Sequence, residues 1–101
     1  MKVNFSKDSK EFLFNTRDFI AKNNPQTAKR YIVKLIERIV SMLQFPNIGR
    51  NNSTFDDATI REITLDGMKI IYKINSKSVD VLMIYRYIDF DETSIDADLS
   101  E

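Results

Sequence analysis

The chain has 101 residues, 43% of them hydrophobic and 11% aromatic, which sets one domain with a modest core and leaves no 18-residue apolar run for a membrane span. It holds neither cysteine nor histidine, which excludes a disulfide framework, a thiolate nucleophile, the usual zinc ligands and the commonest general base. A formal net charge of zero hides an asymmetry: residues 1–88 carry 15 basic against nine acidic residues, or +6, and residues 89–101 carry −6.

Val3 to Phe5 is predicted as a first strand, and Ser6 as the N-cap of a helix running to about Lys22. Asp8 in the first turn suits the positive end of the helix dipole. Phe12, Leu13, Phe19 and Ile20 recur at a spacing of seven and are expected on one buried face, with Phe14 off it. Asn24-Pro25 ends this helix and caps the next. Ala28, Tyr31, Ile32, Leu35, Ile36, Ile39, Met42 and Leu43 keep helical spacing over more than four turns. Pro46 and Gly49 stop that second helix, and residues 50–58 form a polar loop.

A second strand is expected over Thr59 to Leu65, a hairpin turn at Asp66-Gly67, and a third strand over Met68 to Ile74. Asn75 to Ser78 makes the next turn. The last strand runs from Val79 to Ile88 and is apolar at both parities, which reads as a central strand covered on both faces. The order β-α-α-β-β-β predicts an α+β domain, with a helical hairpin packed on a small, twisted, mainly antiparallel sheet. The domain would span residues 1–88, and residues 89–101 would form an acidic C-terminal tail. Met1 to Asp8 holds no apolar block of signal-peptide length, so a cytoplasmic protein without metal or cofactor is expected. The +6 body suits an anionic partner, and the tail is expected to lie against that body.

The candidate binding residues are Arg50, Arg61, Lys69, Lys73, Tyr85 and Arg86. Arg61 shares parity with Ile63 and Leu65, and Arg86 with Leu82 and Ile84, so each guanidinium projects from an apolar face. Two readings stand side by side. Each arginine is either paired with an acid such as Glu62, Asp80 or a tail carboxylate, or forms part of an anion-binding concavity at the uncovered edge of the sheet. Lys69 and Lys73 share one parity of the third strand, with Tyr72 on the other. Basic residues interleaved with tyrosines can hold phosphates and stack bases, but Tyr72 is expected to pack. Phe14 is a candidate contact for a partner protein or a second copy.

Phe5-Ser6, Asn24-Pro25 with Ala28, Phe45-Pro46-Asn47-Ile48-Gly49-Arg50, Ile60-Arg61-Glu62 and Ile71-Tyr72-Lys73-Ile74, in this order, resemble the RelE/ParE superfamily of type II toxin–antitoxin toxins over about residues 3 to 88. The resemblance implies the same β-α-α-β-β-β fold, a growth-inhibiting activity and a cognate antitoxin. RelE-like members are metal-independent mRNA interferases that act on the ribosome. For that mode the resemblance implies Arg61, Arg86 and Tyr87 as catalytic residues. ParE-like members inhibit DNA gyrase without that set.

Two departures favour the ParE-like side. The His-Tyr ending of some nuclease members is absent, and the loop from Asn51 to Thr59 offers Asp56 and Asp57 but no lysine for RNA phosphates. Glu62 has the opposite parity to Arg61 and is poorly placed to accept a proton beside it. The expectation is therefore a gyrase-directed toxin, with an mRNA interferase or a non-toxic binding module as the alternatives.

Overall fold

A computed structural model describes residues 1–86. Its elements run β1 (Lys2–Phe5), α1 (Lys7–Ala21), α2 (Pro25–Met42), β2 (Arg50–Asn51), β3 (Ile60–Leu65), β4 (Met68–Ile74) and β5 (Ser78–Arg86), with a single 3-10 turn at Pro46–Ile48. The five strands form one sheet in the order β1-β5-β4-β3-β2. Among the described residues only β1 against β5 is parallel. The architecture is the α+β one expected, with one strand more: Arg50 and Asn51, read as loop, pair with Glu62 and Arg61. Two residues carry no readable alternation, so such an edge strand leaves no periodic trace.

Local chemistry explains the helix ends. The Ser6 hydroxyl accepts from the Ser9 amide at 3.1 Å, and the Asn24 side chain accepts from the Thr27 amide at 3.0 Å. Pro25 occupies the first turn of α2, where its missing N–H costs nothing. Between β3 and β4, Asp66 and Gly67 both take positive φ, 53° and 76°, the geometry of a type I′ hairpin turn. That turn fixes the β3–β4 register, with Leu65 opposite Met68 and Glu62 opposite Ile71.

The helices cover one face of the sheet. Leu13 of α1 and Ile32, Leu35, Ile39 and Leu43 of the α2 segment pack on Ile63, Leu65, Met68, Ile70, Tyr72, Val79, Val81 and Ile84. The α1 face departs from expectation at Phe19, which is 70% exposed. Phe19 lies near the C-terminal end of α1 and shares a shallow depression with Phe12, Asn15, Thr16 and Arg86.

β5 also differs from its sequence reading. Ile71 pairs with Met83 but Tyr72 pairs with Val81, so Leu82 is an extra residue in the strand. This bulge flips the parity: Val79 and Val81 face the core before it, and Ile84 after it, whereas Met83 is exposed. Apolar residues at both parities thus mark a bulge rather than two covered faces. The α1 cap anchors it, since the Ser6 hydroxyl donates to the Leu82 carbonyl at 2.8 Å and the Ser6 amide donates to Val81 at 2.9 Å.

Candidate functional site

Glu62 is the hub of the sheet face opposite the helices. Its carboxylate is 6% exposed. It accepts from Arg50 Nε at 3.0 Å and from Asn52 Nδ2 at 2.7 Å, and Lys69 Nζ lies 3.1 Å away. Burial alone would push the Glu62 carboxyl up, but hydrogen bonds and charge from Lys69 and Arg50 outweigh it and hold the group below the usual glutamate range. An acid held this way is a poor proton acceptor and a good structural counterion.

Beside this cluster runs an apolar strip. Asn52, Thr54, Phe55, Ile71, Met83 and Tyr85 line a shallow groove of about 380 Å³. Phe55, Met83 and Tyr85 are each more than a third exposed, while Ile71 is buried beneath them. Tyr85 stands opposite Lys69 across β4 and β5. Lys73 lies at the far end of its strand, 4.0 Å from Asp57.

Arg61 turns to the helix side. Its Nη1 donates to the Gly49 carbonyl at 2.7 Å, and its Nε is buried without an acceptor among the described residues. Tyr72, opposite Arg61 in the ladder, donates its hydroxyl to the Pro46 carbonyl and accepts from the Gly49 amide at 3.0 Å. The Tyr72 hydroxyl is pushed up by burial, against the Gly49 hydrogen bond and the Arg61 charge. Gly49 fits only because it lacks a side chain: a Cβ there would stand 2.6 Å from the Glu62 carbonyl oxygen. Arg61 and Tyr72 together clamp the turn that joins α2 to β2.

The candidate residues therefore divide. Arg50, Lys69 and Tyr85 gather on the open face around Glu62. Arg61 sits under the turn, and Arg86 lies at the other end of the sheet, beside Phe12, Asn15, Thr16 and Phe19 of α1. The expectation that the two arginines share the uncovered edge is corrected. Their β4 partners, Tyr72 and Met68, are four residues apart, about 13 Å along the strand at about 3.3 Å per residue. Both arginines keep the core-facing parity, and that face is taken by the helices. Neither pairs with Glu62, Asp80 or another described acid: Glu62 takes Arg50 and Lys69, and Asp80 takes Asn4 and Asn75.

Phe14 is 48% exposed on α1, with the Arg17 guanidinium 5.1 Å from its ring centre. Tyr87 and the acidic tail lie outside the described residues. Among the described residues no group of three or more His, Cys, Asp or Glu side chains is arranged to hold a metal ion, and no helix is long and apolar enough to cross a membrane.

Sequence reasoning missed Glu62 as a hub, and Asn52, Phe55, Ile71 and Met83 as its surroundings. The signal for Glu62 was present. A two-residue turn at Asp66-Gly67 places Thr64 opposite Lys69, which puts Lys69 on the diagonal from Glu62 on the same face.

Comparison with known proteins gives a consistent picture. The family model for the ParE toxin of type II toxin–antitoxin systems, parDE, matches residues 3–91. Among solved structures, the chromosomal ParDE TA system from P. aeruginosa superposes with a TM-score of 0.67 at 18% identity, over 85% of this chain and 95% of that one. No curated protein sequence matches significantly.

Proposed function

The chain belongs to the family of ParE toxins of type II toxin–antitoxin systems, and from that premise we propose that it arrests growth by docking on DNA gyrase and is neutralised by a cognate antitoxin protein. The observation that carries the proposal is the state of Glu62. It is the acid paired with two of the candidate basic residues, Arg50 and Lys69, which hold it ionised. Metal-independent RNA cleavage needs a group that exchanges a proton near neutral pH, beside cations free to meet phosphate. Here the Arg61 guanidinium is engaged by the Gly49 carbonyl, and Arg50 and Lys69 are engaged by Glu62.

The same face suits a protein surface. A charged cluster lies beside adaptable apolar side chains, Phe55, Met83 and Tyr85, the mixture that anchors protein–protein contacts. Antitoxin neutralisation is supported by the family and by the ParDE pairing named for the similar structure.

Purified protein added to a gyrase supercoiling reaction tests this directly. Supercoiling falls with dose and recovers when the partner protein encoded beside the toxin is added. Unchanged supercoiling together with cleavage of translated mRNA overturns the gyrase reading. Induction that leaves growth unaffected overturns the toxic activity itself.

A further inference from the structure

The outer side of α2 is a second surface, on the other side of the molecule from the Glu62 cluster. The helix carries four cations, Lys29, Arg30, Lys34 and Arg38, and a single acid, Glu37. Ala28, Ile32, Leu35 and Ile39 are buried, whereas all four cations are exposed. Lys29, Arg30 and Lys34 line a shallow groove of about 480 Å³ together with Gln26, Val33 and Glu37. None of these three cations has an acidic partner among the described residues. Arg38 stands one turn after Lys34 but is held by Asp66 at 3.1 Å. From Lys29 to Lys34 the row covers about 8 Å of helix axis, at about 1.5 Å per residue.

We propose that this face of α2 binds the phosphate backbone of duplex DNA. Charge complementarity chooses that occupant. Duplex DNA carries about one phosphate charge per 1.7 Å of axis, so about five fall within the length of the row. Each phosphate that a cation neutralises releases condensed counterions, so affinity requires neither a deep pocket nor contacts to bases. An acidic protein segment gains less from such a face, because protein partners are held chiefly by desolvated apolar and aromatic anchors. Val33 is the one exposed large hydrophobic residue on α2, and Leu35 is 2% exposed. The open sheet face is the opposite case, with Phe55, Met83 and Tyr85 exposed beside cations already paired with Glu62. The whole chain has no net charge, so a polyanion is attracted by a local row rather than by the molecule at large. The inference concerns a different face from the proposed gyrase surface and does not depend on that reading.

The test titrates the full chain into a fluorescein-labelled 20-base-pair DNA duplex and follows anisotropy. At 50 mM salt saturable binding is expected, with a Kd of about 1–100 μM. Three phosphate contacts give a log–log salt slope of about −2.7, so a step to 150 mM salt weakens binding about 20-fold. Arg30→Gln/Lys34→Gln leaves one contact, and the same step then weakens binding only about threefold. Val33→Lys adds a cation to the face and steepens the step to about 50-fold. Lys2→Gln/Lys77→Gln removes two exposed cations outside α2 and is expected to leave the step unchanged. All five positions are exposed, and thermal melts report that each variant keeps its fold. No saturable binding at 50 mM salt overturns the proposal. So does an equal flattening in Lys2→Gln/Lys77→Gln, which would mean diffuse attraction, or an unchanged step in Val33→Lys. Poly-glutamate of twenty residues bound as tightly as the duplex overturns it in favour of an acidic protein, and duplex RNA of the same sequence bound more tightly overturns the choice of DNA.

Discussion

Replacing Tyr72 by phenylalanine removes one oxygen from the interior and leaves the ring in place. That oxygen now donates to the Pro46 carbonyl and accepts from the Gly49 amide. In Tyr72→Phe both groups lose their partner. Gly49 is buried, and an unpaired buried amide costs about 1–3 kcal/mol. Pro46 is only half-buried, so water replaces part of its loss. Phenylalanine itself is cheaper to bury than a phenol, which offsets a further part, and the retained ring creates no cavity of the size left by a truncation to alanine.

The net expectation is a loss of about 2 kcal/mol. In a domain of this size that lowers Tm by about 8–16 °C, at about 4–8 °C per kcal/mol. With a slope of about 2 kcal/mol per molar, the urea midpoint falls by about 1 M with no change in slope. Equilibrium urea unfolding of the full chain, followed by circular dichroism, reads both quantities. A cycle with Arg61→Met sharpens the test. Arg61 holds the carbonyl of the same Gly49 whose amide Tyr72 holds, so the two losses are expected to depart from additivity by at least about 0.5 kcal/mol. A midpoint shift below about 0.3 M, or strict additivity, would refute the clamp and return Arg61 to the list of residues available to a ligand.

Acid stability follows from Glu62. Its carboxyl titrates lower folded than unfolded, so its contribution is fully present above the unfolded value of about 4.3 and is lost as pH falls through the folded value. Asp80, lowered by hydrogen bonds from Asn4 and Asn75, acts in the same direction. Urea midpoints are expected to hold steady from pH 7 to about 5 and then drop, with a shallower drop in Glu62→Gln; an identical acid limb in that variant counts against the hub. The two helix caps should also differ. Asn24→Ala loses one exposed cap, about 1 kcal/mol, whereas Ser6→Ala loses a cap and the Leu82 carbonyl bond at the bulge and should cost more, about 2 kcal/mol. Thermal melts of both variants decide it, and equal losses would show that Ser6 does nothing for the bulge.

What the sequence disclosed and what it withheld differ in range. Caps at Ser6 and Asn24, the α2 stripe and the Asp66-Gly67 turn are decided within about four residues of themselves, and each was readable. The Leu82 bulge was not, because an inserted residue changes parity without changing composition. A strand apolar on both faces and a strand that swaps faces look alike until the partner register is known. Phe19 keeps perfect helical spacing with Phe12, yet Phe12 packs against the core and Phe19 is exposed, a difference that spacing within one helix does not decide. Arg61 is the sharpest case. Ile60-Arg61-Glu62 left open whether its guanidinium meets an acid or an anionic ligand, and parity correctly separated Arg61 from Glu62. Its destination was set by Gly49, twelve residues away, whose missing side chain lets Tyr72 and the Arg61 guanidinium approach one turn from the same side. A short motif shared with a family can therefore transmit architecture while its charged residue serves the scaffold. The functional surface must then be sought where the charges converge, on Glu62, rather than where the motif is densest.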